Sequence, residues 1–296
     1  ARTKVLSVEQ IRTMLDDRFR LLTGGSPMAP ERHRTLGAAI EWSYDNLTEG
    51  EQRLLRGLSV FAGGWTLGAA AAVCGSSDEF RTLDLLTRLV DKSLVVVEGP
   101  EGSESWYRLL ETVRQFVVAR LKDTGEEAPA RLAHLQHYLA VAEAAGAELF
   151  GAEQSSWLRR LEREHENLLG ALAWCDTAAG GAEMALRLAG SIWRFWFIRG
   201  HLELSRGALS KSLGRVDARV PTAARVQALL ALGNLAFYQG DRTLSERTFE
   251  ESLAICRGLG DQRGVARSSM GLGNVATENG EFSTARAHYE VCLSVF

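Results

Sequence analysis

Ten side chains that recur on one face of three successive helical segments have the types and spacing to hold a ligand in this 296-residue chain. They are Arg187, Arg194 and Phe197 in the first segment, Gln227, Asn234, Phe237 and Tyr238 in the second, and Arg267, Asn274 and Glu278 in the third. Guanidinium groups donate forked hydrogen bonds to carboxylates and phosphates, and aromatic faces attract cations. Three arginines with aromatics between them therefore suit an anionic or a peptide ligand. The same residues would equally serve as a solvated inner face.

Other constellations point away from catalysis. The chain has no G-x-x-x-x-G-K-[ST] motif and no G-x-G-x-x-G between a strand and a helix. The run TGGS at 23–26 could cradle an anion, but no strand leads into it, and a flexible loop is the simpler reading. His134 and His137 stand three apart without a third ligand nearby in sequence, so no metal site is expected. In RRLEREHE, Glu162, Glu164 and Glu166 alternate with Arg159, Arg160 and Arg163. That pattern reads as a solvated helix face stitched by i,i+4 pairs worth about 0.3 kcal/mol each. Cys74, Cys175, Cys256 and Cys292 are widely spaced and read as buried free thiols. No catalytic residue is expected, and no cofactor in these residues.

The elements that must position the ten residues repeat with a period of 40. The stretches FWFIRGHLELSRGALSKSL (195–213), LAFYQGDRTLSERTFEESL (235–253) and VATENGEFSTARAHYEVCL (275–293) align Gly200 with Gly240 and Gly280, and Leu213 with Leu253 and Leu293. Such a period marks a solenoid, whose units bury their apolar faces only by stacking. Each glycine lies between two amphipathic segments, where a left-handed helix C-terminus favours it, so the unit is helix, tight turn, helix. The second and third units fit a tetratricopeptide pattern: Leu232, Gly233 and Asn234 match Leu272, Gly273 and Asn274. Ser245 and Ala285, then Phe249 and Tyr289, take the packing positions of the second helix. In the first unit Trp193 stands where the others have glycine, so its two helices must pack further apart or at another angle.

Upstream, Val8, Ile11, Leu15, Phe19 and Leu22 space out a helix over 7–22 capped by Ser7. A second helix starts at Thr35, and Thr48 with Glu51 forms a capping box for a third. Short helices near 67–74 and 80–91 follow. Two strand-type runs, 93–98 and 105–110, enclose a Gly/Pro/Glu/Ser turn and read as a hairpin, before ETVRQFVVARL returns to helical spacing. Helices, a two-stranded wing and a closing helix describe a winged-helix domain. After the linker DTGEEAPAR come helices near 132–149 and 155–175.

Charge and composition restrict the function. With 46% hydrophobic and 24% charged residues the chain is an ordinary globular one, and its formal net charge of -3 leaves no footprint for non-specific binding to DNA or anionic lipid. The recognition segment EFRTLDLLTRLVDK balances Arg81, Arg88 and Lys92 against Glu79, Asp84 and Asp91. A helix lying among phosphates should be more basic, so docking is expected rather than DNA readout. No run reaches the roughly 18 apolar residues that span a bilayer and no signal-peptide core is visible, so a cytoplasmic protein is expected.

RHRTLGAAIEWSYDNL, LLRGLSVFAGGWTLGAAAAVC, LLTRLVDKSLVVVE and YRLLETVRQF resemble the winged-helix segment of bacterial signal-transduction ATPases with numerous domains (STAND). WLRRLEREHENLLGALAW and FWFIRGH resemble the tetratricopeptide-like sensor that follows it in the same proteins. The resemblance covers nearly the whole chain. It implies a nucleotide-binding module upstream and an effector domain, with ADP between that module and the winged helix holding the protein closed. An effector ligand or protein on the repeats would release it for ATP exchange and oligomerisation. Relatives with a methionine-histidine-aspartate motif touch ADP through the histidine; the matching residues are Leu109, Leu110 and Glu111, so that contact is replaced or lost. Arg32, His33 and Arg34 are substitutes for it, or a simple surface loop.

The expected fold is mainly α. Residues 1–29 are read as a linking helix from the nucleotide-binding module, 30–125 as a winged helix with a small β-hairpin, 126–182 as a helical linker with the first helical pairs, and 183–296 as an α-α superhelix of TPR-like repeats. The last residues, EVCLSVF, stop inside a second helix, so a further repeat is expected. The expected function is that of a regulatory and sensor fragment of a transcriptional regulator, docking on its own nucleotide-binding domain. The alternatives are a protein scaffold without a small-molecule ligand, and DNA binding through the wing.

Overall fold

The computed structural model describes residues 36–75, 78–99 and 104–295. The helix expected over 7–22, the TGGS loop, and Arg32, His33 and Arg34 lie outside the described residues. The chain divides into two compact units, Ala1–His134 and Leu135–Phe296.

In the first unit, helices α1 (Leu36–Asp45), α2 (Glu49–Leu58), α3 (Leu67–Val73) and α4 (Glu79–Asp91) precede strands β1 (Val95–Glu98) and β2 (Trp106–Leu109), and α5 (Glu111–Asp123) closes it. The capping box forms as its residues predict. Thr48 Oγ1 accepts from the Glu51 amide at 3.4 Å, and a Glu51 carboxylate oxygen accepts from the Thr48 amide at 2.7 Å. The same carboxylate pairs with Lys92 at 2.8 Å, tying the start of α2 to the end of α4. Leu54, Leu55 and Leu58 of α2, Leu86 and Leu89 of α4, and Val113, Val117 and Leu121 of α5 are buried.

The wing is antiparallel, with Val95 opposite Leu109 and Glu98 opposite Trp106. Trp65 and Tyr107 exchange both backbone hydrogen bonds at 2.8 Å and add a bridge at its edge. Gly64 must lack a side chain, because a Cβ there would run into the Trp106 indole.

Helix α6 (Glu127–Glu148) spans the division between the units. The second unit continues with α7 (Gln154–Arg163), α8 (His165–Trp174), α9 (Gly181–Ile198), α10 (Leu202–Gly214), α11 (Ala223–Tyr238), α12 (Arg242–Leu259), α13 (Gln262–Glu278) and α14 (Phe282–Leu293). The single helix expected over 155–175 is two. The break falls at Glu164, whose side chain is only 2% exposed and accepts from Tyr138 Oη at 2.7 Å and Asn167 Nδ2 at 3.3 Å. RRLEREHE is therefore not a uniformly solvated face: Glu164 turns inward, and Glu162 pairs with Arg199, the residue that caps the end of α9, at 2.8 Å rather than within its own helix.

The column of glycines behaves as its spacing requires. Gly200, Gly240 and Gly280 have φ of 78°, 78° and 79°. After each, the next amide reaches back to a carbonyl five residues earlier: His201 to Trp196 at 2.8 Å, Asp241 to Ala236 at 2.9 Å, and Glu281 to Ala276 at 2.8 Å. This is one helix-ending motif used three times, with the left-handed residue a glycine each time. Within the pairs, Phe249 lies against Gly233, and Tyr289 against Gly273, where a Cβ would come within 2.8 and 2.5 Å of the ring. In the first pair the bulk is reversed: Trp193 on α9 stands at the glycine position and the smaller Leu209 on α10 at the aromatic position. Helices α9 and α10 are packed less closely than the other two pairs.

Candidate functional site

A cavity of about 590 Å³ opens on the side of the stack formed by the first helix of each pair. Helix α6 and the turn after it supply Glu143, Gly146, Ala147 and Phe150; α9 supplies Gly190, Ser191 and Trp193; α11 supplies Gln227 and α13 Arg267. Two glycines inside helices let the walls meet. A Cβ on Gly146 would stand 3.1 Å from the Ser191 carbonyl oxygen, and one on Gly190 would stand 3.3 Å from the Ala228 amide. Ser191, almost fully buried, accepts a hydrogen bond from Gln227 Nε2 at 3.2 Å.

The charges near the cavity are unequally engaged. Arg187 forms a fork with Glu143, Nε at 2.7 Å and Nη2 at 3.0 Å, so those two charges cancel. Arg194 donates from Nε to the Leu149 carbonyl at 3.0 Å and lays its guanidinium 4.1 Å from the centre of the Phe150 ring. It thereby holds at the rim a ring that is 64% exposed. Arg267 is exposed and makes no ion pair or hydrogen bond among the described residues.

The ten residues singled out by spacing are therefore distributed by the fold. Gln227 and Arg267 line the cavity, while Arg187 and Arg194 act on it through Glu143 and Phe150. Phe197 joins an aromatic ridge beside it, 6.2 Å from Trp193 and 4.8 Å from Tyr238 between ring centres. Phe237 packs against the core cluster of Val226, Leu230, Phe249 and Leu253. Asn234 bonds back to its own helix at the Leu230 carbonyl, 2.6 Å away, and Asn274 accepts from Tyr289 Oη at 2.9 Å. Glu278 pairs with Arg242 at 3.5 Å. Spacing did not single out Glu143, Phe150, Ser191 or Trp193 as site residues. The signal that could have found the cavity is Gly146 and Gly190, glycines in helix interiors that helix propensity alone disfavours.

In the first unit, the exposed face of α4 mixes Arg81 and Arg88 with Glu79, Asp84 and Asp91, and Lys92 is engaged by Glu51. Phe80 on this face is 81% exposed. Leu110 caps the start of α5 without a side-chain hydrogen bond and is half-exposed. Glu111 is bound by Arg114 at 2.9 Å. Burial pushes the Cys74 thiol up to about 12 and the Cys175 thiol up to about 11, so both are inert thiols at neutral pH. Among the described residues no group of three His, Cys, Asp or Glu side chains could hold a metal, and no helix is long and apolar enough to cross a membrane.

Residues 47–122 match the family model of the winged helix-turn-helix domain, and residues 225–296 that of the tetratricopeptide repeat. A Mycobacterium tuberculosis (strain H37Rv) protein named "Putative HTH-type transcriptional regulator Rv0890c" is 37% identical over 292 residues, which is 95% of this chain and 32% of that protein. A second protein of the same strain, named only as uncharacterized, is 43% identical over 143 residues, 47% of this chain and 36% of its own length. The chain thus spans about a third of the length of the curated relatives it matches. A crystal structure of a STAND protein with a tetratricopeptide repeat sensor from Pyrococcus horikoshii aligns over 99% of this chain and 52% of its own, with 15% identity and a TM-score of 0.37. The chain is mainly α-helical, a winged helix-turn-helix domain with a two-stranded sheet followed by helical repeats of the tetratricopeptide type.

Proposed function

We propose that this chain is the regulatory and sensor part of a STAND-type transcriptional regulator, in which the repeats receive an effector and the winged helix docks on a nucleotide-binding domain of the same chain. The observation that carries the sensor reading is the cavity itself. Its 590 Å³ falls in the range of about 300–1,000 Å³ typical of small-molecule sites, and two aromatic rings and three small residues share its lining with Glu143, Ser191, Gln227 and Arg267. The sequence resemblance and the name given to the 37% identical relative support the regulatory setting.

The docking reading rests on α4. The helix that would enter a major groove carries three acids against two bases and displays Phe80, chemistry that suits a protein surface better than phosphates. At the wing, Leu110 offers only carbon atoms where the family's histidine would stand and Glu111 is paired with Arg114, so an ADP held by the neighbouring module would need another contact in place of that histidine.

Thermal melting and tryptophan fluorescence of the chain against nucleotides, sugars, metabolites and short peptides test the sensor reading, since Trp193 lines the cavity. A ligand that raises the melting temperature and changes Trp193 emission supports it. If no compound acts and pull-downs recover one protein, the stack is a partner platform and the effector reading falls. A salt-dependent mobility shift on DNA at low ionic strength would overturn the docking reading.

A further inference from the structure

We propose that the cavity's ligand is a small aromatic carboxylate, its ring lying against Trp193 and Phe150 and its anionic group on Arg267. The inference rests on the sensor reading above and names the class of molecule that reading leaves open.

Two opposite charges line the cavity, Glu143 and Arg267. Both Glu143 oxygens are taken by Arg187, at 2.7 and 3.0 Å, so the acid brings no net charge to the interior. Arg194 is spent on the Leu149 carbonyl and the Phe150 ring. Arg267 is left as the one cation facing the cavity without a partner among the described residues. A guanidinium with no carboxylate of its own selects a single carboxylate or phosphate, and it does so through a fork that an amide cannot accept equally well.

Shape selects a flat body. Gly146, Ala147 and Gly190 line the cavity without a branched side chain. Trp193 lines the cavity and Phe150 stands at its rim, where Arg194 covers one face of the ring and fixes it before any ligand arrives. Aromatic rings held in place contribute more to flat rings than to puckered ones, through offset or edge-to-face stacking. Gln227 spends one amide hydrogen on Ser191 and keeps its carbonyl oxygen to accept from a hydroxyl or amine on the ring.

The test uses the whole 296-residue chain and three probes: 1-hydroxy-2-naphthoate, its carboxamide, and the saturated decahydronaphthalene carboxylate. Titration calorimetry is expected to rank the naphthoate first, with each of the other two weaker by about tenfold or more. Arg267→Met, at an exposed position where the fold does not depend on the charge, should bring naphthoate down to the affinity of the amide and leave the amide unchanged. Far-UV circular dichroism checks that the variant is folded.

Equal loss for acid and amide in Arg267→Met overturns the assignment, as does a saturated ring that binds as well as the aromatic one, or no naphthoate binding at millimolar concentration. If a neutral sugar or a peptide instead stabilises the chain and quenches Trp193, the carboxylate class falls while the sensor reading stands. If no compound of any class binds, both fall together.

Discussion

Replacing Gly271 by alanine tests whether the repeats close by a ring held between two glycines. Phe249 of α12 is almost completely buried, and its ring is flanked by Gly233 of α11 and Gly271 of α13. A Cβ on Gly271 would stand 2.6 Å from Cε1 and Cζ and 2.7 Å from Cε2 of that ring, three carbons at once. Ordinary carbon contacts are about 3.5–4.0 Å, so the ring must retreat by roughly 1 Å. It has nowhere to go, because a Cβ-sized space at Gly233 is already closed to 2.8 Å.

Overpacking of this kind costs about 1–3 kcal/mol, while alanine in place of glycine inside a helix returns about 1 kcal/mol. Gly271→Ala should therefore destabilise the chain by up to about 2 kcal/mol. In a Phe249→Leu background the obstruction is gone and only the helix preference remains, so the same change should be neutral or stabilising by up to about 1 kcal/mol. The coupling between the two sites is then about 1–3 kcal/mol, the size expected for residues in contact. Urea unfolding of the four proteins followed by far-UV circular dichroism measures it. An equal effect of Gly271→Ala in both backgrounds, or a gain in the wild-type chain, would refute the sandwich argument.

Three further outcomes follow from buried polar groups and one close contact. Arg225, 8% exposed, donates to the carbonyls of Leu213 at 3.2 Å and Ala218 at 2.8 Å and pairs with Glu251. Arg225→Met should cost about 2–4 kcal/mol in urea unfolding, and Arg225→Lys should not restore it, since one ammonium cannot reproduce the fork. Burial lifts the Glu164 carboxyl above its ordinary value of 4.5, against the pull of its hydrogen bonds from Tyr138 and Asn167. A carboxyl raised on folding contributes stability that is complete below the unfolded value and lost as pH rises through the folded one. Wild-type stability should therefore fall relative to Glu164→Gln as pH rises above the ordinary carboxyl value of 4.5, and a parallel course of the two curves would count against a buried acid. Gly64→Ala should cost about 1–3 kcal/mol by driving a Cβ into Trp106, visible as a lower melting temperature with loss of Trp106 fluorescence character.

What the chain determines by itself is local and periodic. The 40-residue step places Gly200, Gly240 and Gly280 at three equivalent helix ends, because a left-handed backbone at a fixed point in each turn admits glycine most readily. Thr48 and Glu51 announce their helix start for the same reason: the hydrogen bonds involved span three residues. The hairpin is legible from two short apolar runs around a turn.

The cavity is not legible in that way. Only packing decides that Glu143 cancels Arg187, 44 residues away, that Arg194 supports Phe150, again 44 residues away, and that Arg267 is left without a partner among the described residues. Periodicity reports which face of a helix is buried. It does not report which neighbour that face meets, and so cannot say which of three arginines keeps its charge for a ligand. The break at Glu164 has the same origin, a tyrosine 26 residues upstream that draws one carboxylate of an apparently solvated run into the interior.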